Sequence, residues 1–264
     1  MSAVLQTETS ILLREDRDGV STLTLNRPEQ FNALSGELLD QLQATLDAIA
    51  ADTSARVVVI AARGRGFCAG HDLKEIRALG TQDRIEALFR KCSKVMTSIV
   101  SLPQPVIARV HATATAAGCQ LVAQCDLAVA ADTAKFAVSG VNFGLFCSTP
   151  SVALARNVGR KQAMEMLLTG EFIDAPTAKS YGLVNRVVPP EQLDAEVAKL
   201  AATVAAKPQG AVASGKRAFY RQLEMGLESA YALASEVISC NAASDEGREG
   251  MDAFLEKRKP SWNR

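Results

Sequence analysis

The chain has 264 residues, 48% hydrophobic and 22% charged, enough for one large core or a core with a helical appendage. Lys plus Arg number 29, as do Asp plus Glu, so a formal net charge of zero exerts no general pull toward nucleic acid or an anionic membrane. No apolar run approaches the ~18 residues that would span a bilayer. Six cysteines (68, 92, 119, 125, 147 and 240) contain no C-x-x-C and share no ligand spacing with His71 or His111, so no metal is expected.

The opening residues 1–16 lack a basic segment followed by an apolar one, and they carry Glu8. They read as neither a secretory signal nor a transit peptide. Together with thiols suited to a reducing compartment, this predicts a cytoplasmic protein. Residues 11–16 and 20–26 read as paired strands around the turn signal Asp18-Gly19. Ser35 can cap a helix whose apolar stripe is Leu38, Leu39, Leu42, Leu46 and Ile49. Residues 57–62 (VVVIAA) form a wholly apolar short strand, followed by a glycine-rich loop and a long polar helix over about 82–101. Strands are predicted at 105–110 and 126–131, with a helix over 116–125 between them. Short strand, loop and helix in alternation imply crossover connections and sheets covered by helices.

After about Gly144 the pattern becomes nearly all helix. Asp174 and Pro176 open one helix and Gly182 closes it; residues 189–206 form an amphipathic one. Three more helical stretches fill 208–259. Pro208 marks a boundary between a mixed α/β core, 1–207, and a C-terminal helical region, 208–264, suited to packing on a neighbouring subunit.

Two stretches carry the chemistry. In RGRGFCAGHDLKE (63–75), Gly64, Gly66 and Gly70 let the backbone approach a ligand, and amides entering a helix can bind an anion; a surface turn explains the same glycines. In VHATATAAGCQLVAQCD (110–126), small residues lead into a helix, leaving room at its N–H groups, although close helix–sheet packing also wants Ala and Gly. Two such bends together are what an oxyanion hole requires.

LNRPEQFNALS (25–35), GFCAGHDLKE (66–75), AAGCQLVAQCDLAVA (116–130), MEMLLTGEFIDAPTAKSYGLVNRVVP (164–189) and EGMDAFLEKRKPSW (249–262) occur in that order. With them the sequence resembles the crotonase, or enoyl-CoA hydratase/isomerase, superfamily over nearly its whole length. Within it, GHDLKE, CSKVM, ATAAGCQL and GLFCSTP are most similar to the enoyl-CoA hydratase domain-containing protein 3 branch. The resemblance implies an α/β fold: a crotonase-like spiral of ββα units with a C-terminal helical trimerisation region. It implies an acyl-CoA thioester substrate in fatty-acyl metabolism, a homotrimer or a hexamer of two trimers, and no cofactor beyond coenzyme A as part of the substrate. The thioester carbonyl would sit between the backbone N–H groups of His71 and Ala117, with Gly118 as the alternative one residue on. Coenzyme A contacts map to Gln30, Phe31, Ala33, Ala69, Asp72 and Leu73, with Phe254 and Lys257 as a C-terminal contact. Arg27, Arg63 and Arg65 are candidates for its phosphates, or are solvated surface charges.

One departure stands out. The glutamate pair of hydratases in this family falls, position by position, at Gln120 and Gly140. Gln120 can orient a water but cannot take its proton, and general acid–base catalysis is worth about 10²–10⁴ per group. His71 is a candidate replacement, its side chain otherwise turning toward Asp72 or a subunit contact. Cys147 and Ser148 are a candidate nucleophile without a visible base, or residues capping a helix. Three readings follow: an enzyme of hydratase/isomerase type, an acyl-CoA-binding protein without catalysis, or a thioester hydrolase or decarboxylase.

Overall fold

The computed structural model describes residues 10–262. The start of the opening stretch, up to residue 9, lies outside the described residues.

A hairpin comes first: β1 (Leu12–Arg17) and β2 (Val20–Leu25) pair antiparallel across Asp18 and Gly19, both at positive φ as a tight hairpin turn requires. The Ser35 hydroxyl accepts from the Leu38 N–H and caps α1 (Gly36–Ala50), which buries the predicted apolar stripe. Then follow β3 (Val57–Ala62), β4 (Gly66–Cys68), α2 (Leu73–Leu79) and α3 (Gln82–Ser101). Next come β5 (Val106–Val110), β6 (Thr113–Thr115) and α4 (Ala117–Gln124), and then β7 (Leu127–Ala131), β8 (Lys135–Ala137), α5 (Ser148–Asn157) and α6 (Arg160–Thr169). The chain continues through β9 (Ile173–Asp174), α7 (Ala175–Ser180), β10 (Arg186–Val188) and α8 (Leu193–Ala205). It ends in α9 (Gln209–Gln222), α10 (Leu227–Ala243) and α11 (Asp245–Leu255).

The strands of the described residues form two sheets. The larger has the order β1-β2-β3-β5-β7-β10 and is parallel after its first pair; the smaller has the order β4-β6-β8-β9 and is parallel until its last pair. Between β3 and α5, each turn of chain gives one strand to the larger sheet, the next to the smaller, and then a helix. That is the predicted ββα spiral. Strand alternation divides β3 between two cores. Val58 and Ile60 face the main core with α1, α3 and α4, while Val57 and Val59 face a second core closed by Leu193, Val197 and Leu200 of α8. Both faces of β3 are therefore buried, as its unbroken apolar run predicts.

One expectation needs correcting. Beyond Gly144 the chain is not continuous helix, because β9 completes the smaller sheet and β10 the larger. The cysteines are buried thiols except for Cys240, which is exposed on α10.

Beyond Pro208, α9 is tied to the core by charge. Lys216 Nζ donates to the Asp126 carboxylate (2.6 Å) and to the carbonyls of Ile99 (2.9 Å) and Gln104 (3.0 Å). The Tyr220 hydroxyl donates to the same carboxylate (2.8 Å), as does the Val106 N–H (2.7 Å).

Candidate active site

The smaller sheet places the site. In register, Cys68 lies beside Ala114, Ala114 beside Phe136, and Thr115 beside Ala137. The carboxyl ends of three adjacent parallel strands thus point the same way. Each is followed by a bend: 69–72 after β4, 116–117 after β6 and 138–140 after β8. Ligands in parallel α/β sheets bind where such ends open.

The first two bends touch. An ideal Cβ on Gly70 would stand 2.8 Å from the Ala116 Cβ and 3.1 Å from the Ala117 nitrogen, so glycine is required there. Leu34 bridges His71 from the other side: its N–H donates to the Gly70 carbonyl (2.7 Å) and its carbonyl accepts from the Asp72 N–H (3.4 Å). In a parallel bridge of this kind the His71 N–H points away from Leu34. Ala117 is the first residue of α4, where an amide has no partner in its own helix. Neither amide finds a protein acceptor among the described residues. Ala116 between them holds φ 51° and ψ −120°, a conformation strained for any residue with a Cβ. Gly118 has another task. A Cβ there would lie 2.1 Å from the Cys68 carbonyl oxygen, so its missing side chain lets α4 press onto β4.

A cleft of about 950 Å³ opens onto these bends. His71, Ala117 and Gly140 all line it; Gln120 does not. Gln120 is 4% exposed, and its side-chain oxygen is buried without a hydrogen-bond partner. Gly140 is sealed differently. Its N–H donates to Cys147 Sγ (3.3 Å), and a Cβ would lie 2.4 Å from the Leu145 carbonyl oxygen and 2.7 Å from that sulfur. The sole carboxylate among the lining residues is Glu86, which is paired with Arg90.

The His71 side chain does not turn to Asp72, which is partnered elsewhere. It meets Phe89 of α3 edge-on, ring centroids 4.7 Å apart, and its Nε2 is buried without a partner. Burial lowers its pKa to about 4, so at neutral pH the ring is uncharged. Asp72 instead caps α2 by accepting from the Lys74 and Glu75 N–H groups, and it pairs with Arg27 (3.3 Å). The Cys147 thiol lines the cleft with its pKa raised by burial, against the pull of the Gly140 N–H, so it is no ready thiolate. It stands at the N-cap position of α5, but its side chain makes no capping bond. His111 is a packed turn residue, its Nε2 bonded to the Gly64 carbonyl (2.9 Å).

The coenzyme A candidates divide by location. Ala69 and Leu73 line the cleft, and the Ala69 N–H donates to the Phe31 carbonyl (3.0 Å), bringing the 28–33 turn to its mouth. Gln30 and Phe31 are exposed there, Arg65 lies 5.3 Å over the Phe31 ring, and Ala33 is buried. Arg27 is committed elsewhere, to Asp72 and the Ala33 carbonyl. Phe254, 83% exposed, and Lys257 are not among the residues lining the cleft. Sequence reasoning missed the hydroxyl pair Thr115 and Ser139, 2.9 Å apart at the cleft wall. It also missed the α3 face made by Gln82, Ile85, Glu86 and Phe89. The spacing of that face was readable; what it faced was not.

Comparison with known proteins settles the family. Residues 15–264 match the family model described as enoyl-CoA hydratase/isomerase. A Xenopus laevis protein named enoyl-CoA hydratase domain-containing protein 3, mitochondrial, is 47% identical over 254 residues, covering 96% of this chain and 86% of that one. A crystal structure of enoyl-CoA hydratase from Mycobacterium smegmatis superposes with a TM-score of 0.95 at 57% identity, covering 97% of this chain and 100% of that one. The crystal structure of human enoyl-coenzyme A hydratase domain-containing protein 3 does so with a TM-score of 0.93 at 46% identity, covering 96% and 100%. The α/β crotonase fold is therefore that of this molecule, and the similarity to the domain-containing protein 3 branch holds. The cytoplasmic expectation is overturned: relatives of that name from Xenopus, mouse and human are called mitochondrial. Buried thiols and an opening stretch without a recognisable signal were too weak a basis for it. The chain belongs to the enoyl-CoA hydratase/isomerase family.

Proposed function

We propose that the cleft binds an acyl-CoA thioester in fatty-acyl metabolism and that the amides of His71 and Ala117 hold the thioester oxygen, stabilising an enolate or oxyanion. The observation that carries this reading is the meeting of two acceptor-free amides at the ends of neighbouring parallel strands. Preorganised N–H donors stabilise developing charge without reorganising during the reaction. Coenzyme A would lie across Gln30, Phe31, Ala33, Ala69, Asp72 and Leu73. Phe254 and Lys257, which stand away from the cleft in one chain, would serve the cleft of a neighbouring subunit.

The test is turnover of crotonyl-CoA by the wild type and by Ala117→Pro. Proline occurs at the first position of a helix and removes the N–H, while Ala117→Gly, which keeps the N–H, controls for changes at this bend. A drop in kcat of about 10²–10³, with circular dichroism unchanged, supports the reading. Equal rates would refute it.

A second reading, thioester binding without turnover, is favoured by one observation. Gln120 is sealed away and Gly140 has no room for a side chain, so no acid–base pair faces the cleft from the usual positions. Calorimetric binding of butyryl-CoA with no hydration of crotonyl-CoA would select it; release of free thiol would instead indicate hydrolysis.

A further inference from the structure

The cleft wall carries a polar group that the family pattern did not supply. Thr115 ends β6, two residues before Ala117, and Ser139 immediately precedes Gly140. Their hydroxyls meet at 2.9 Å and both residues line the cleft. Two hydroxyls offer two donors and four lone pairs, and their mutual bond leaves one O–H and three lone pairs for a ligand. Of the other polar side chains of the wall, three are committed within the protein, while the His71 Nε2 has no partner. Asn142 donates to the Gly170 carbonyl, Ser148 to the Phe146 carbonyl, and Glu86 accepts from Arg90. The same wall carries the apolar residues Ile85, Phe89, Leu145, Phe146 and Pro150.

No base stands beside either hydroxyl in the bonds described, so the pair is suited to recognition rather than nucleophilic attack. Its place along the chain fixes what it can recognise. Two residues span at most about 7 Å, so a thioester oxygen at the Ala117 N–H puts the next carbons of the acyl group within reach of Thr115. Counting the carbonyl carbon as the first, the α-carbon is the second and the β-carbon the third.

Resting on the acyl-CoA reading of this cleft, we propose that the Thr115–Ser139 hydroxyl pair is a specificity site for an oxygen substituent on the acyl β-carbon, as in a 3-hydroxyacyl thioester. Such a substituent both donates and accepts, matching what the pair leaves free. An unsubstituted acyl chain leaves the pair bonded only to itself.

Isothermal titration of butyryl-CoA and 3-hydroxybutyryl-CoA tests this with the wild type, Thr115→Val, Ser139→Ala and the double variant. One net hydrogen bond predicts about five- to tenfold tighter binding of the hydroxylated ligand by the wild type. In the double variant that ratio falls to about one, with thermal unfolding confirming that it folds. Equal binding by the wild type, or a preference that survives in the double variant, overturns the specificity site while leaving the acyl-CoA reading intact. No binding of either thioester overturns both.

Discussion

Gly140 shows at residue scale why a glutamate does not fit at this position. A Cβ there meets the Leu145 carbonyl oxygen at 2.4 Å and Cys147 Sγ at 2.7 Å, so the loop must move to admit any side chain. Gly140→Glu is therefore expected to lose about 1–3 kcal/mol of stability in urea unfolding, the usual range for overpacking, without a gain in crotonyl-CoA hydration. His71 gives a pH signature. Its folded pKa of about 4 lies below the ordinary histidine value because burial disfavours the charged ring. Between those two values the unfolded chain binds more protons at this residue than the folded one, so its contribution to stability rises with pH. The contribution is fully present above the unfolded value and is lost as pH falls toward 4. Urea midpoints of the wild type and His71→Gln should therefore converge as pH drops from 7 to 4.5; a constant difference would contradict the assignment.

At the scale of elements, the Lys216–Asp126–Tyr220 cluster joins α9 to the strand ends of the larger sheet. Lys216 is largely buried, and burial lowers its pKa against the opposing pull of Asp126. Lys216→Ala would leave the Asp126 charge poorly compensated, a change that typically costs about 3–5 kcal/mol. Hydrogen exchange should show α9 amides losing protection first; unaltered exchange would mean that α9 is held by packing alone. The elements also show what the sequence reveals. α1, α3, β3 and the paired strands β1 and β2 were legible because caps, turn residues and apolar patterns extend over five residues or more. β4, β6 and β8 were not. Three residues each (GFC, TAT, KFA) are too few to display alternation, and their identity depends on pairing with strands distant in sequence. Those three strands build the site. The bends at His71 and Ala117 were recognisable by their small residues and by family motifs, but their convergence was not. The sealing of Gln120 and the Thr115–Ser139 pair depend on tertiary packing with no sequence period.

At the scale of the molecule, the C-terminal helices present Leu227, Tyr231, Ile238, Phe254 and Leu255 to the surface, each more than three-fifths exposed. Apolar surface of this kind favours a partner, and with the family resemblance it predicts homotrimers or pairs of trimers. Sedimentation equilibrium should give three or six copies of the 28.1 kDa chain; a monomer at micromolar concentration would contradict that. Such an assembly would also give Phe254 and Lys257 a neighbour's cleft to serve. The central claim concerns a single oxygen atom. A crystal structure with a non-hydrolysable acyl-CoA analogue tests it most directly. The account predicts the carbonyl oxygen about 2.7–3.1 Å from both the His71 and Ala117 nitrogens; an oxygen bound by neither amide would contradict it.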